Sequence, residues 1–197
     1  MELEYGSDRY DLGNGSHGDH RSGYVYCISL FHIMQRIATI IFSALVLISI
    51  DYFSKWIFNT GIYQDLIAEC PLSYYPDCLW KYYPILGQYF GFQLSYNSGI
   101  AFWLPITGLP LQIITIALIF WLLWYYFVTE YPKKSKLLDA GYALIMAGAI
   151  SHAYERIFVG HVIDFIAVQY FAILNFADIF ISIGAALLFI AYYVRKQ

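Results

Sequence analysis

Charge is what this chain has least of: Asp, Glu, Lys and Arg make up 13% of its 197 residues, and hydrophobic residues 60%. A soluble domain carries roughly 25% charged residues. The shortage, with a mean hydropathy of +0.56, excludes a water-soluble globular fold and implies an integral membrane protein. At this length there is room for a handful of spans and one compact bundle, with no second large domain. Cysteine is scarce as well. Cys27, Cys70 and Cys78 offer no C-x-x-C and no clustered Cys/His spacing, so no zinc site is expected; no other metal, no organic cofactor and no nucleic-acid partner is implied. Cys70 and Cys78 share one loop, where they form a disulfide if it faces an oxidising compartment, or stay two free thiols. The opening MELEYGSDRYDLGNGSHGDHRSGY lacks the basic-then-apolar order of a secretory signal peptide. Its Gly, Ser, Asp and His content cannot bury a core, so residues 1–23 are expected to form a disordered cytoplasmic tail, with His17 and His20 solvated or at most weak metal ligands.

A membrane span needs about 20 mostly apolar residues, and residues 24–197 hold four candidates, at about 37–58, 101–128, 137–157 and 176–194. In the first, the uncharged run stops at Ile50, so Asp51 and Lys55 fall inside the helix near one membrane face. The second has no charge, and Pro105 and Pro110 predict an irregular entry. The third closes on SHAYER, and the fourth carries Asp178 in its first turn. Arg9, Arg21 and Arg36 precede the first span, Lys133, Lys134 and Lys136 join the second to the third, and Arg195 and Lys196 follow the fourth. The loop 59–98 holds only Lys81. The positive-inside rule then puts both termini in the cytoplasm. The outer loop is rich in Tyr, Trp and Phe, residues suited to the headgroup region. It either serves as a plain interfacial anchor or builds structure on the outer leaflet, with YFGFQLSY (residues 89–96) as a strand.

With those directions, Asp51, Lys55, Asn97, His152, Glu155, Arg156, Asp164 and Asp178 fall in one layer near the outer surface, which marks a site. Asp51 and Lys55, spaced i, i+4 with the acid first, are placed for an ion pair; it fixes helix ends, or Lys55 meets substrate. Arg156 cannot release a proton and, beside Glu155, reads as a clamp. The stretch VIDFIAVQYFAILNFADIF, residues 162–180, is different. Carboxylates in apolar surroundings are costly unless something pairs with them or needs them, and no basic residue lies between Asp164 and Asp178. Two acids brought together share one proton and can act as base and acid at once. The alternatives are a helix N-cap for Asp178 and a solvated interfacial position for Asp164. The residues between them read as a short, lipid-facing connector.

In order along the chain stand D-x-x-x-K (Asp51, Lys55), N-x-G-x-A-F (Asn97, Gly99, Ala101, Phe102), AGAISHAYER, VIDF and N-x-A-D (Asn175, Ala177, Asp178). Together they resemble signal peptidase II, the lipoprotein signal peptidase family of membrane aspartic proteases, over about residues 37–195. The resemblance implies an all-α membrane protein: a four-helix transmembrane bundle with a small extracytoplasmic β-cradle from the aromatic loop and an interfacial helix from residues 159–173. It implies Asp164 and Asp178 as the catalytic pair. Asp51, Lys55, Asn97, Gly99, Ala101, Phe102, His152, Glu155, Arg156, Asn175 and Ala177 would form the supporting and substrate-binding shell. The implied site lies near the outer leaflet of the bacterial cytoplasmic (inner) membrane and cleaves a prolipoprotein just before its diacylglyceryl-Cys. Its partners would be lipidated prolipoproteins, membrane lipids and globomycin-type inhibitors. The chain departs from the family where G-N-x-x-D-R becomes Ser151-His152-x-x-Glu155-Arg156, in a shorter Asp164–Asp178 connection and in a longer first outer loop. His152 either fills a structural role or tunes the pH dependence of the pair.

Two rivals stay open. The altered 151–156 stretch and the enlarged loop suit a relative that binds lipidated chains without cutting them, although binding alone has no use for both aspartates. Intramembrane acids also mark ion paths, but the inner halves of the four spans lack deep ionisable residues for a relay.

Overall fold

The computed structural model describes residues 19–62, 82–99 and 107–194. Ala101, Phe102, Pro105, Cys70 and Cys78 lie outside them. The chain divides into two compact units, Met1–Ala38 and Thr39–Gln197. Helix α1, Asp19–Trp56, supplies the described backbone of the first unit and opens the second. It begins inside the segment expected as a disordered tail: the apolar run from residue 24 carries helix backwards, because extending a helix is cheaper than starting one.

The second unit adds α2 (Gly108–Tyr125), α3 (Lys136–Phe158) and α4 (Phe176–Val194). Among the described residues, three helical stretches are long and apolar enough to cross a membrane: Ser29–Gly61, Gly108–Lys133 and Phe176–Val194. The 23-residue α3 carries Asp139, Glu155 and Arg156 and buries much of its surface, packing on both α2 and α4. A helix surrounded by protein can hold polar side chains that lipid would reject. Its approach to α4 depends on Gly148, where an added Cβ would lie 2.5 Å from the Ala177 carbonyl oxygen and 2.7 Å from Ile181 Cγ1. Ser135 caps the start of α3, its Oγ accepting the Leu138 N–H at 3.4 Å. The chain leaves α3 through Gly160, at φ +86, whose N–H donates to the Glu155 carbonyl at 2.9 Å.

A four-stranded antiparallel sheet follows the order β1 (Tyr83–Leu86), β2 (Phe90–Asn97), β3 (Val162–Val168) and β4 (Ala172–Leu174). Strand β2 lies one residue on from the expected 89–96. The expected interfacial helix over 159–173 is not formed; this connection is the β3–β4 hairpin. Its Val, Ile and Phe residues favour a pleated surface, and β2 offers an edge to pair with, from Phe90↔Val168 to Asn97↔Val162. Nor is the connector lipid-facing. Val162, Phe165, Ile166 and Ala167 are buried, and Phe165 stacks on Phe58, just past the end of α1, with ring centroids 4.2 Å apart. Only the hairpin tip, Tyr170 and Phe171, is strongly exposed.

Candidate active site

Asp164 on β3 and Asp178 in the first turn of α4 open onto the same cavity of about 300 Å³, with Ser95, Asn97, His152 and Arg156 on its walls. Sheet register sets Asp164 opposite Ser95. Asp164 is 4% exposed; its Oδ1 accepts from Asn175 Nδ2 and Oδ2 from Asn97 Nδ2 at 3.4 Å. Burial first, and then the negative charge of Asp178, push the Asp164 carboxyl up to about 6, against the pull of the two asparagine hydrogen bonds.

Asp178 Oδ1 lies 3.1 Å from His152 Nε2, and Oδ2 accepts the Asn175 N–H at 3.0 Å. In return, Asn175 Oδ1 accepts the Asp178 N–H at 3.1 Å. This is the reciprocal exchange of a capping box, with Asn175 as cap and Asp178 as the third helical residue. Asn175 is fully buried and touches both aspartates.

Behind the cavity wall lies an ion network. Asp51, Lys55 and Glu155 are 0%, 2% and 5% exposed. Lys55 Nζ sits 2.7 Å from Asp51 and 2.6 Å from Glu155. Asp51 also accepts the Ala177 N–H at 2.9 Å and the Ser151 hydroxyl. Glu155 reaches the Ile163 N–H at 3.4 Å. The network therefore fastens α1, α3, α4 and β3 together. Of the two readings of Lys55, the geometry favours the one that fixes helix ends, since the cavity is lined by other residues.

Arg156 Nη2 donates to the Gly99 carbonyl at 3.1 Å. The Gly99 N–H donates to Asn97 Oδ1 at 3.0 Å, so Gly99 is gripped from both sides. Gln112 Nε2 donates to the Arg156 carbonyl at 2.8 Å.

Residues 43–194 match the family model described as signal peptidase (SPase) II. The chain belongs to the signal peptidase II family. A lipoprotein signal peptidase of Acinetobacter baylyi is 35% identical over 160 residues, 78% of this chain and 82% of that relative. The lipoprotein signal peptidase of Pseudoalteromonas translucida is 36% identical over 152 residues, 74% of this chain and 82% of that one. In fold, the chain is similar to a bacterial membrane enzyme solved by the in meso method at 2.3 Å resolution. The TM-score is 0.63 at 24% identity, covering 82% of this chain and 91% of the other.

As a signal peptidase II, the protein is a membrane peptidase, a hydrolase. The structure brings Asn97, His152, Arg156, Asp164 and Asp178 to the cavity wall, and sets Asp51, Lys55, Gly99, Glu155, Asn175 and Ala177 behind it. Three participants escaped the sequence reading. Ser151 bonds to Asp51 and Ser95 faces Asp164; neither carries a signal of its own. Gln112 does, as a lone amide in an uncharged apolar run.

Proposed function

We propose that this signal peptidase II is an aspartic endopeptidase that removes signal peptides from diacylglyceryl-modified prolipoproteins, cutting just before the lipidated Cys. One observation carries the reading: two carboxylates from separate elements, bridged by Asn175, open onto one cavity. With one proton between them, one carboxylate takes a proton from water as the water oxygen bonds to the scissile carbonyl carbon. The other gives its proton to the carbonyl oxygen. The tetrahedral adduct then collapses: the C–N bond breaks, the leaving nitrogen takes the proton the first carboxylate had acquired, and a hydroxyl of the adduct returns a proton to the second. The free carboxyl of the signal peptide and the amine of the lipidated Cys are the products.

The relatives bearing the name lipoprotein signal peptidase support that substrate class. The basic residues of the 133–136 turn and of 195–196 support a four-span topology with both termini cytoplasmic. The helix α3 is the fourth span, at 23 residues about 35 Å long. This topology puts the site near the outer leaflet of the bacterial cytoplasmic membrane, where the diacylglyceryl anchor would hold the scissile bond.

The test is cleavage of a purified diacylglyceryl-Cys precursor by the purified protein, with and without globomycin. Cleavage on the N-terminal side of the lipidated Cys, blocked by globomycin, is expected. Undiminished cleavage by D164N or D178N would overturn the mechanism.

A further inference from the structure

His152 is the titratable side chain in direct contact with the aspartate pair. Its Nε2 lies 3.1 Å from Asp178 Oδ1. Its Nδ1 is buried with no hydrogen-bond partner among the described residues. The charged groups around the ring are Asp178 from α4, Asp164 from β3 and Arg156 on α3 itself, all on the wall of the same cavity. Glu155, also on α3, is engaged with Lys55.

A charged imidazole donates from both nitrogens, and a neutral one from a single nitrogen. Here only Nε2 has an acceptor, so a proton on Nδ1 would be a buried donor with nothing to receive it, an arrangement that costs the full desolvation of that group. The hydrogen this pocket puts to use is therefore the one on Nε2, aimed at Asp178 Oδ1.

That choice makes the two aspartates unequal. Asp178 Oδ1 faces the imidazole N–H and Oδ2 faces the backbone N–H of Asn175, so each oxygen has one lone pair held by a donor and one left to receive a proton from water. Among the described residues, Asp164 Oδ2 has only the long 3.4 Å contact from Asn97, which leaves room for a proton.

We propose that His152 is a positioning residue that donates its Nε2 hydrogen to Asp178, making Asp178 the carboxylate that deprotonates water and Asp164 the carboxyl that protonates the scissile carbonyl oxygen. The assignment rests on the aspartic-peptidase reading above. Water gives its proton to a free lone pair of Asp178 as its oxygen bonds to the carbonyl carbon, and the Asp164 proton passes to the carbonyl oxygen. On collapse, Asp178 returns its proton to the leaving nitrogen, and a hydroxyl of the adduct reprotonates Asp164. The rise of the Asp164 carboxyl to about 6 through burial and the Asp178 charge agrees with a proton resident there.

The test has an arm that needs no activity. Nitrogen NMR on the full chain with labelled histidine, the His152 signals assigned by their loss in H152Q, should show a protonated Nε2. D178N should move that ring's signals. In kinetics, H152L should lower kcat about 10–100-fold, the usual cost of removing the partner that orients a functional group. KM should stay within about twofold, because the interaction removed is one with Asp178 and not with the substrate. H152Q, whose amide nitrogen can reach the same oxygen, should restore most of kcat. The acid limb of the pH profile should move upward in H152L, because a carboxylate pair that loses a donor protonates more easily; H152Q should bring it back. An Nδ1–H tautomer, a ring indifferent to D178N, or wild-type kcat and pH profile in H152L would each overturn the proposal. If the native protein cleaves no lipidated precursor while the ring shows the Nε2 hydrogen and the D178N response, the peptidase reading fails and the His152–Asp178 pairing stands.

Discussion

Asn175 and Asp178 hydrogen-bond to each other in both directions, backbone N–H to side-chain oxygen each way, at 3.0 and 3.1 Å. The Asn175 amide nitrogen is thereby left free to reach Asp164. One side chain starts a helix and spaces two acids.

Those two jobs are separable. N175A removes both, so it should lower stability by about 1 kcal/mol for the lost cap and also impair cleavage. N175S keeps a good capping oxygen but has no amide for Asp164. It should recover most of the unfolding temperature while cleavage remains impaired. Thermal unfolding in detergent and precursor cleavage, measured on the same preparations, check this; equal recovery of both would count against the bridging role.

Asp164 makes stability depend on pH. Its carboxyl is raised from an ordinary 3.8 to about 6, so the folded state holds the proton more tightly than the unfolded chain. The stability from that proton is fully present below pH ~4 and is lost as pH rises through about 6. The loss amounts to at most ~3 kcal/mol for a shift of this size. Asn cannot ionise, so the unfolding temperature of D164N relative to the native protein should climb between about pH 4 and pH 7. A difference that stays flat over that range would refute the shift. For the same reason kcat/KM should fall as pH passes about 6, where the free pair loses its shared proton.

Much of this was legible in the sequence, for physical reasons that differ by element. Helix α4 begins at Phe176 and α3 spans Lys136–Phe158, close to the limits set by hydrophobic run length and flanking polar residues. The polar layer was legible because a charge in an apolar run has to be used or paired. What escaped was set by contacts between distant residues. Asp164 lies on a strand because β2 offers it an edge, through the pairing Ser95↔Asp164, and register leaves no local trace. The connector looked lipid-facing because an apolar strand buried on both faces has the same composition as one bathed in lipid. The paired roles of Asn175 were hidden because N-x-A-D states a spacing and is silent about which atoms meet.

Lys55 neutralises two buried acids at 2.7 and 2.6 Å. K55M strands both, and breaking a buried pair by removing one partner costs about 3–5 kcal/mol. The triple variant D51N/K55M/E155Q removes the stranded charges and should be more stable than K55M alone. Thermal unfolding of the two variants decides it; a triple variant no better than K55M would mean that the network acts through hydrogen bonds rather than charge.

Gly148 has almost no space for a side chain, with the Ala177 carbonyl oxygen 2.5 Å from where a Cβ would stand. G148A must part α3 from α4 next to the His152–Asp178 contact. A loss of about 1–3 kcal/mol is expected for such overpacking. Cleavage should drop by up to about 100-fold, as misplacements of 1 Å do at reacting centres. Native cleavage rates in G148A would show that the helices tolerate the displacement.

The hydrogen bond from the Ala177 N–H to Asp51 joins positions 126 residues apart in the chain. A ribosome emits the first of these long before the second. While the polypeptide is still emerging, Asp51 and Lys55 are in place and Ala177 does not yet exist, so the bond that ties α1 to α4 closes late. The order of synthesis therefore sets the order of assembly: the anchor on α1 waits for its partner on α4.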